Sequence, residues 1–398
     1  MGVGSSLGVG SCGIEELTLF DVIVCGAGPA GSVAATVLAR GGARVLMVDR
    51  TRFPRHKLCG DTINPGALAV LRRLGLTAAF ESAALPIDGM IVTGEDGVRV
   101  HCAYEGGTRG LALLRHDLDG ALAAAAVAAG ARFEEGVLVR GPLLEDRGRV
   151  RGVILAGRDG RDIRVPAPLV VAADGRRSRV AMPLGLLRHP RRPRRWAIGA
   201  YFEGVAGMTA FGEMHVRSGR YIGVAPLPSG AANVCLVVAG DAAIADPARL
   251  LLDAIGREPE LRDRFASARM TSVPSVLGPL AVDAAAAGAP GLLLAGDAAG
   301  FIDPMTGDGL RFAVRGAELA GVAALAGPGE PHARLGQLRR REFSRKWRFN
   351  RAVRALVDHG VSVAVAGRVA RAAPWVLRRA IAFAGDVPAS RASREPGC

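Results

Sequence analysis

Two kinds of hydrophobic pattern alternate along this chain. One is the short unbroken apolar run, as in Val22-Ile23-Val24-Cys25, Val45 to Val48 of the stretch Ala43 to Val48, Val170-Val171-Ala172 and Leu292-Leu293-Leu294. Runs this short, bounded by turn residues, predict strands buried on both faces of a parallel sheet. The other pattern is helical. Leu68, Leu71 and Leu74 repeat every third position, Arg115 opens a long alanine-rich stretch, and from about residue 331 the sequence turns helical, basic and aromatic. Strands and helices in alternation predict an α/β protein. The strongest strand–turn–helix signals lie at 21–50 and 290–316. If both serve one ligand, the domain that binds it is discontinuous and encloses an inserted one.

Composition narrows the class. The formal charge is +14 over 398 residues, which raises nucleic acid or an anionic membrane as a partner. Lysine occurs only at Lys57 and Lys346, so the charge is almost all arginine, a compositional habit shared with the abundant Ala and Gly. The exception is the cluster from Arg339 to Arg354. Six cysteines are scattered without a Cys-x-x-Cys pair, which argues against a zinc site and a disulfide framework, and fits a reducing cytoplasm. The first basic residue is Arg40, unlike a secretory signal peptide. Met1-Gly2 with Ser6 matches the myristoylation pattern only minimally, and 1–18 reads as a flexible leader. Asp283, Arg368 or Arg371 interrupts each long apolar stretch, leaving no run able to span a bilayer.

The run 22–25 leads straight into Gly26-x-Gly28-x-x-Gly31. Gly26 permits the tight turn, Gly28 lets backbone approach a pyrophosphate, and Gly31 allows helix to pack on strand. Pro29 suits the first helical turn, and with Ala30 it opens a helix whose N-terminal amides face the phosphates. The next strand ends at Asp49, eighteen positions beyond Gly31, where an acid can accept the ribose hydroxyls. This fingerprint does not separate FAD from NAD. The stretch Gly296-Asp297-Ala298-Ala299-Gly300, followed by Pro304-Met305-Thr306-Gly307-Asp308-Gly309, does. Here the sequence resembles the glutathione-reductase-type flavoproteins and, among them, the para-hydroxybenzoate hydroxylase fold. The resemblance implies that Asp297 binds a ribityl hydroxyl of FAD, and that the amides from Gly307 to Leu310 face the flavin N1/C2 oxygen. It also implies an arginine at Arg115 reaching the FAD phosphate or ribityl region, and Asp174 of Asp174-Gly175 near the pyrophosphate.

The segment Phe53-Pro54-Arg55-His56-Lys57-Leu58-Cys59-Gly60-Asp61 resembles the Lys-x-Cys-Gly loop of the geranylgeranyl reductase family, which passes beside the isoalloxazine ring. Over residues 20 to 330 the chain is similar to that family. The implied architecture is a Rossmann-like FAD domain at 19–80, 110–182 and 276–330, and an α+β substrate domain on a mainly antiparallel sheet at 81–109 and 183–275. C-terminal helices at 331–389 and a tail at 390–398 complete it. The implied chemistry is reduction of flavin by NADH or NADPH, then reduction of a C=C bond in a hydrophobic prenyl, quinone or polyketide-like substrate. Relatives act as monooxygenases or halogenases, so an FAD-dependent monooxygenase of secondary metabolism is the alternative, and a non-enzymatic flavin-binding protein a further one.

The family's Tyr-x-Trp-x-Phe-Pro segment is replaced here by Tyr221-Ile222-Gly223-Val224-Ala225-Pro226. Gly223 and Ala225 stand for two bulky aromatics on one side of a strand, which enlarges or reshapes the pocket. Cys59, with Lys57 and His56 nearby, reads either as a thiolate relaying a proton to the flavin region or as a small packing residue. Asp61 reads as an acid/base group or, preferably, a turn cap. His101 and His215 read as structural. The stretch 339–354 reads as a helix packed over the substrate domain or as a peripheral membrane contact. No metal and no nucleic acid are expected. The expectation is a cytoplasmic monomer or dimer, with association at the cytoplasmic membrane face left open.

Overall fold

The computed structural model describes residues 19–57, 61–157, 160–190, 194–240, 244–358 and 360–387. The leader 1–18, the tail 390–398 and Cys59 lie outside the described residues.

Val22–Cys25 sits in the middle of a six-stranded sheet. Val45–Asp49 and Arg132–Glu135 continue it in parallel on one side, Leu169–Ala172 and Leu292–Leu294 on the other, and Gly288–Ala289 closes that edge antiparallel. The apolar runs have the predicted cause. Val22 and Val24 pack toward helices α1 (Pro29–Arg40), α2 (Pro65–Arg73), α3 (Arg115–Ala128) and α6 (Gly309–Leu325), while Ile23 and Cys25 pack toward a three-stranded antiparallel sheet of 139–144, 150–156 and 162–166. Both faces are therefore covered and no polar residue fits either.

The second large sheet contains Gly89–Thr93, Arg99–Ala103, Arg195–Glu203, Phe211–Arg217, Arg220–Pro226 and Ala232–Ala239, with short strands Arg269–Met270 and Ser275–Leu277 at one side. Its pairings are antiparallel apart from Phe211–Arg217 against Gly89–Thr93. One face carries Ile198, Phe202, Ile222, Val224 and Leu236 against α4 (Pro247–Gly256) and α5 (Pro259–Arg262). The other face carries Tyr221 and Val237 toward Phe301, Met305 and Val357. The loop that follows the strand Leu292–Leu294 thus lies between the two sheets. His215 belongs to a structural network: its ring bonds Thr93 and Glu213, and Glu213 also takes two bonds from Arg264.

Helices α7 (Pro331–Asp358), α8 (Gly360–Ala372) and α9 (Pro374–Gly385) wrap the loop from outside. Of the two readings of 339–354, a helix packed over the substrate domain or a membrane contact, the aromatic residues support packing, and they pack on α6. Phe343 is buried against Phe312 of α6, Trp347 packs on Phe312 and Gly300, and Phe349 stacks on Phe383. The aromatic stripe of α7 is core, and packing on α6 accounts for its spacing.

Candidate active site

The glycine turn is built as the spacing demands. Gly26 has φ 97° and donates its N–H to Val48 at 2.7 Å, tying the turn to the neighbouring strand. A Cβ built at Gly31 would lie 1.7 Å from the Gly26 carbonyl oxygen, and one at Gly26 would lie 2.5 Å from that of Ala173. Pro29 is the first residue of α1 and Ala30 is buried behind it. Asp49 ends its strand and spends its oxygens on the turn: Oδ2 accepts from the Ala27 N–H at 2.8 Å, and Oδ1 from the N–H and hydroxyl of Thr51. A ribose hydroxyl would be an additional partner of this carboxylate.

Around that turn lies a cluster of cations that the motifs only partly signalled. Arg55 bonds Asp119 at 3.1 Å through both Nε and an Nη, and reaches Asp49 at 3.4 Å. Its guanidinium stands 2.9 Å from where a Gly28 side chain would begin. Arg115 is clamped by Asp119, Nε to Oδ1 at 2.8 Å and Nη2 to Oδ2 at 3.0 Å. Lys57 has accessible surface yet is enclosed by protein, the mark of a side chain projecting into a recess. That enclosure lowers its pKa, as do Arg115 and Arg55, while Asp297 and Asp119 pull it back up.

The second half of the site comes from the opposite end of the chain. Gly296, at φ 61°, packs where a Cβ would meet Ala30 of α1 at 2.8 Å, so the Gly296–Ala299 turn rests directly on the glycine fingerprint. Asp297 accepts no side-chain hydrogen bond among the described residues. Beneath it Arg339 of α7 donates to the Ala299 carbonyl at 3.0 Å, and burial pushes its pKa down to about 10. Pro304 opens a further turn, Gly307 adopts φ 66°, and Asp308 leads into α6 at Gly309 and Leu310. The first amides of α6 lack intrahelical partners and point from the positive end of its dipole. Asp308 itself turns away, to Lys346 at 3.0 Å. Asp174 packs behind Gly26. Its Oδ2 accepts from the Arg179 N–H at 2.8 Å, its Oδ1 is buried without a partner, and burial raises its pKa.

On the sheet side, register sets Gly199, Cys235, Gly223 and Met214 in one row, and Tyr201, Asn233 and Ala225 in the next. Gly223 and Ala225 lie on one face and are half-buried, with no atom closer than 3.8 Å to a Gly223 Cβ. Tyr221 shares that face but is itself buried, its hydroxyl donating to Asp303 at 2.5 Å while Arg195 holds the other oxygen at 3.1 Å. Pro226 falls, by alternation, on the opposite face and is buried. Of the four expected pocket residues, the geometry therefore leaves Gly223 and Ala225 open, with Tyr221 bracing the loop between the sheets.

Asp61 is 2% exposed and fully engaged. Oδ1 accepts from the Arg115 N–H at 2.9 Å, capping α3, and Oδ2 accepts from the Tyr201 hydroxyl at 3.0 Å and from the Asn233 amide. Burial raises its pKa against these bonds. Among the described residues no group of three or more His, Cys, Asp or Glu could hold a metal ion.

These residues fit FAD. A glycine cradle approachable at Gly28, three cations around it, a half-buried Asp297 with no side-chain partner among the described residues and the first amides of α6 supply what a pyrophosphate, a ribityl chain and an anionic flavin require. The fold and site define an FAD-binding flavoprotein. Residues 20–217 match the family model described as FAD binding domain. A menaquinone reductase of Mycolicibacterium smegmatis is 30% identical over 323 residues, covering 76% of each chain. A geranylgeranyl bacteriochlorophyll reductase-like protein of Thermoplasma acidophilum superposes with a TM-score of 0.76 at 22% identity, covering 91% of this chain and 98% of its own. The myxobacterial chondrochloren halogenase CndH, at 25% identity, gives 0.77, covering 85% and 82%. The chain belongs to the geranylgeranyl reductase family of FAD-dependent oxidoreductases.

Proposed function

We propose that the protein uses NADH or NADPH to reduce its flavin and then reduces a C=C bond of a hydrophobic prenyl, quinone or polyketide-like substrate. FAD, when bound, supplies the hydride acceptor and donor. Arg55, Lys57 and the α1 amides hold its pyrophosphate, Asp49 adds a ribose contact and Asp297 a ribityl one. The α6 amides at Gly309 and Leu310 stabilise charge on the pyrimidine side. Tyr221 and Arg195 brace the intervening loop through Asp303.

The observation that carries the reading is the sheet face opposite that loop. Its middle is Gly199, Cys235, Gly223 and Ala225, apolar and small, with Met214 3.8 Å from a Cβ built at Gly223 and with Phe301 and Met305 packed on the cluster of Tyr221 and Val237 beside it. Such a floor suits a bulky apolar group, because the polar groups nearest it are already committed, the Tyr201 hydroxyl and Asn233 amide to Asp61 and Arg195 to Asp303. The CndH likeness supports a second reading, an oxygen-using flavin enzyme of the same fold. Cys59 lies between Lys57 and Asp61 in sequence and is retained as a proton relay or packing residue. A Cys59→Ser variant that binds flavin normally but loses turnover favours the relay.

The test is anaerobic incubation of holoenzyme, NADPH or NADH and a menaquinone or geranylgeranyl lipid. The reductase reading predicts a product heavier by two hydrogens. A strict oxygen requirement, with an oxygen atom or halogen in the product, overturns it.

A further inference from the structure

Helices α8 and α9 form a hairpin whose inner side packs on α7 and on the edge of the second sheet. Ala370 and Leu377 close against Val98 and Val100 at the edge of the second sheet, so the hairpin already has a core-facing side. Its turn nevertheless presents Val369 (44% exposed), Trp375 (60%) and Val376 (39%), with Val365 (50%) one turn before. Ala372 and Pro374 are exposed between them.

The charge carried by the hairpin itself has one sign. From Gly360 to Gly385 the sequence contains Arg368, Arg371, Arg378 and Arg379 and no acid. All four are exposed. Asp96, from a neighbouring hairpin, lies 4.0 Å from Arg371, whose Nη1 also donates to the Asp96 carbonyl at 3.1 Å. A contiguous apolar tip with a tryptophan, rimmed by arginines, is poorly matched to water. It matches the headgroup region of an anionic bilayer, where indole sits at the interface, valines enter the acyl boundary and arginines meet phosphates. Self-association is disfavoured by the same charges, because an isologous contact would bring two sets of arginines together.

Position supports the assignment. The inner end of α9 reaches Asp386, which pairs with Lys346 at 3.1 Å and Arg311 at 2.8 Å, next to Asp308. Twelve residues of α9 separate that end from the tip, about 18 Å at the helical rise. The tip is one short helix away from the candidate active site. Among the described residues no helix is long and apolar enough to cross a membrane, so contact here is peripheral.

We propose that the α8–α9 tip docks the protein on an anionic lipid surface, with Trp375 at the headgroup level and Arg368, Arg378 and Arg379 on the lipid phosphates. The inference goes beyond the reaction and is read without turnover, so it can fail or stand independently of the reductase assignment. The probe is sedimentation of full-length holoenzyme with phosphatidylcholine vesicles, with and without phosphatidylglycerol, alongside Trp375→Glu and Arg378→Gln/Arg379→Gln. The proposal predicts salt-sensitive binding to the anionic vesicles. With each arginine contributing about fivefold, the double substitution weakens binding about 25-fold. It predicts loss with Trp375→Glu at unchanged flavin content and melting temperature, and quenching of tryptophan emission by brominated lipid. Wild-type protein that ignores anionic vesicles, or variants that bind like wild type, overturns it. So does a concentration-dependent dimer that Trp375→Glu dissociates, which assigns the face to a second copy.

Discussion

The ammonium of Lys346 lies 3.0 Å from the carboxylate of Asp308, both buried, at the start of the helix whose first amides the candidate flavin site uses. Asn64 reinforces the same point, donating to the Gly307 carbonyl at 3.3 Å and to Asp308 at 3.4 Å. In a chain with two lysines, one is spent holding this loop.

Burial pushes Asp308 up to about 6 although Lys346 pulls it down. Lys346→Met removes that pull and leaves Asp308 and Asp386 facing each other, at an expected cost of about 3–5 kcal/mol at neutral pH. The sign of the pH dependence follows. The folded carboxyl titrates above its ordinary 3.8, so between roughly 4 and the folded value the native state holds a proton that the unfolded state has lost. The variant's deficit in urea unfolding should shrink as pH falls through that window and be largest above it.

The two glycines of the fingerprint should separate folding from binding. Gly31→Ala drives a Cβ into backbone and is expected to cost about 3 kcal/mol or more. Gly28 has φ −69°, which any residue adopts, and a Cβ there meets only the end of Arg55. Gly28→Ala should keep the apoprotein's melting temperature and weaken FAD binding at least about tenfold in a fluorescence titration.

Asp61 ties α3 to two strands of the second sheet. Asp61→Asn turns one acceptor into a donor that faces the Asn233 amide, and should cost about 2–3 kcal/mol in denaturant unfolding. As a cap, Asp61 predicts an unchanged pH profile of turnover in that variant. Loss of a titrating limb would instead assign it the acid/base role.

Gly223→Trp places a ring on the open face. It should fold, since a Cβ there makes only ordinary contacts, the nearest to the flexible end of Met214 at 3.8 Å, and should raise KM about tenfold for a branched or ring-bearing substrate while sparing a slim prenyl chain. Equal effects on both would remove Gly223 from the pocket.

Much of this was legible in the sequence for physical reasons that can be named. The parallel strands announced themselves because burial on both faces forbids polar residues, as at Val22 to Cys25. The turn at Gly26 did so because backbone contacts as close as those at Gly31 exclude any side chain. What stayed hidden depends on long-range pairing. Nothing local distinguishes Arg55, which meets Asp119 across 64 positions, or Arg339, which reaches Ala299 across 40. Lys57 and Lys346 carried a usable signal, rarity among arginines, which pointed to places where a compact ammonium is wanted. The aromatic stripe of α7 left two readings open because helical spacing is the same for a buried face and a membrane face. Only packing on Phe312 decided it.

The most direct test of the central claim is a stopped-flow comparison of how reduced enzyme-bound flavin is reoxidised. The account predicts that a menaquinone or geranylgeranyl-bearing lipid, added without oxygen, restores the oxidised flavin spectrum faster than the solvent blank and in proportion to product. Flavin that stays reduced until oxygen enters, and then passes through a C4a-adduct absorbance, would contradict it.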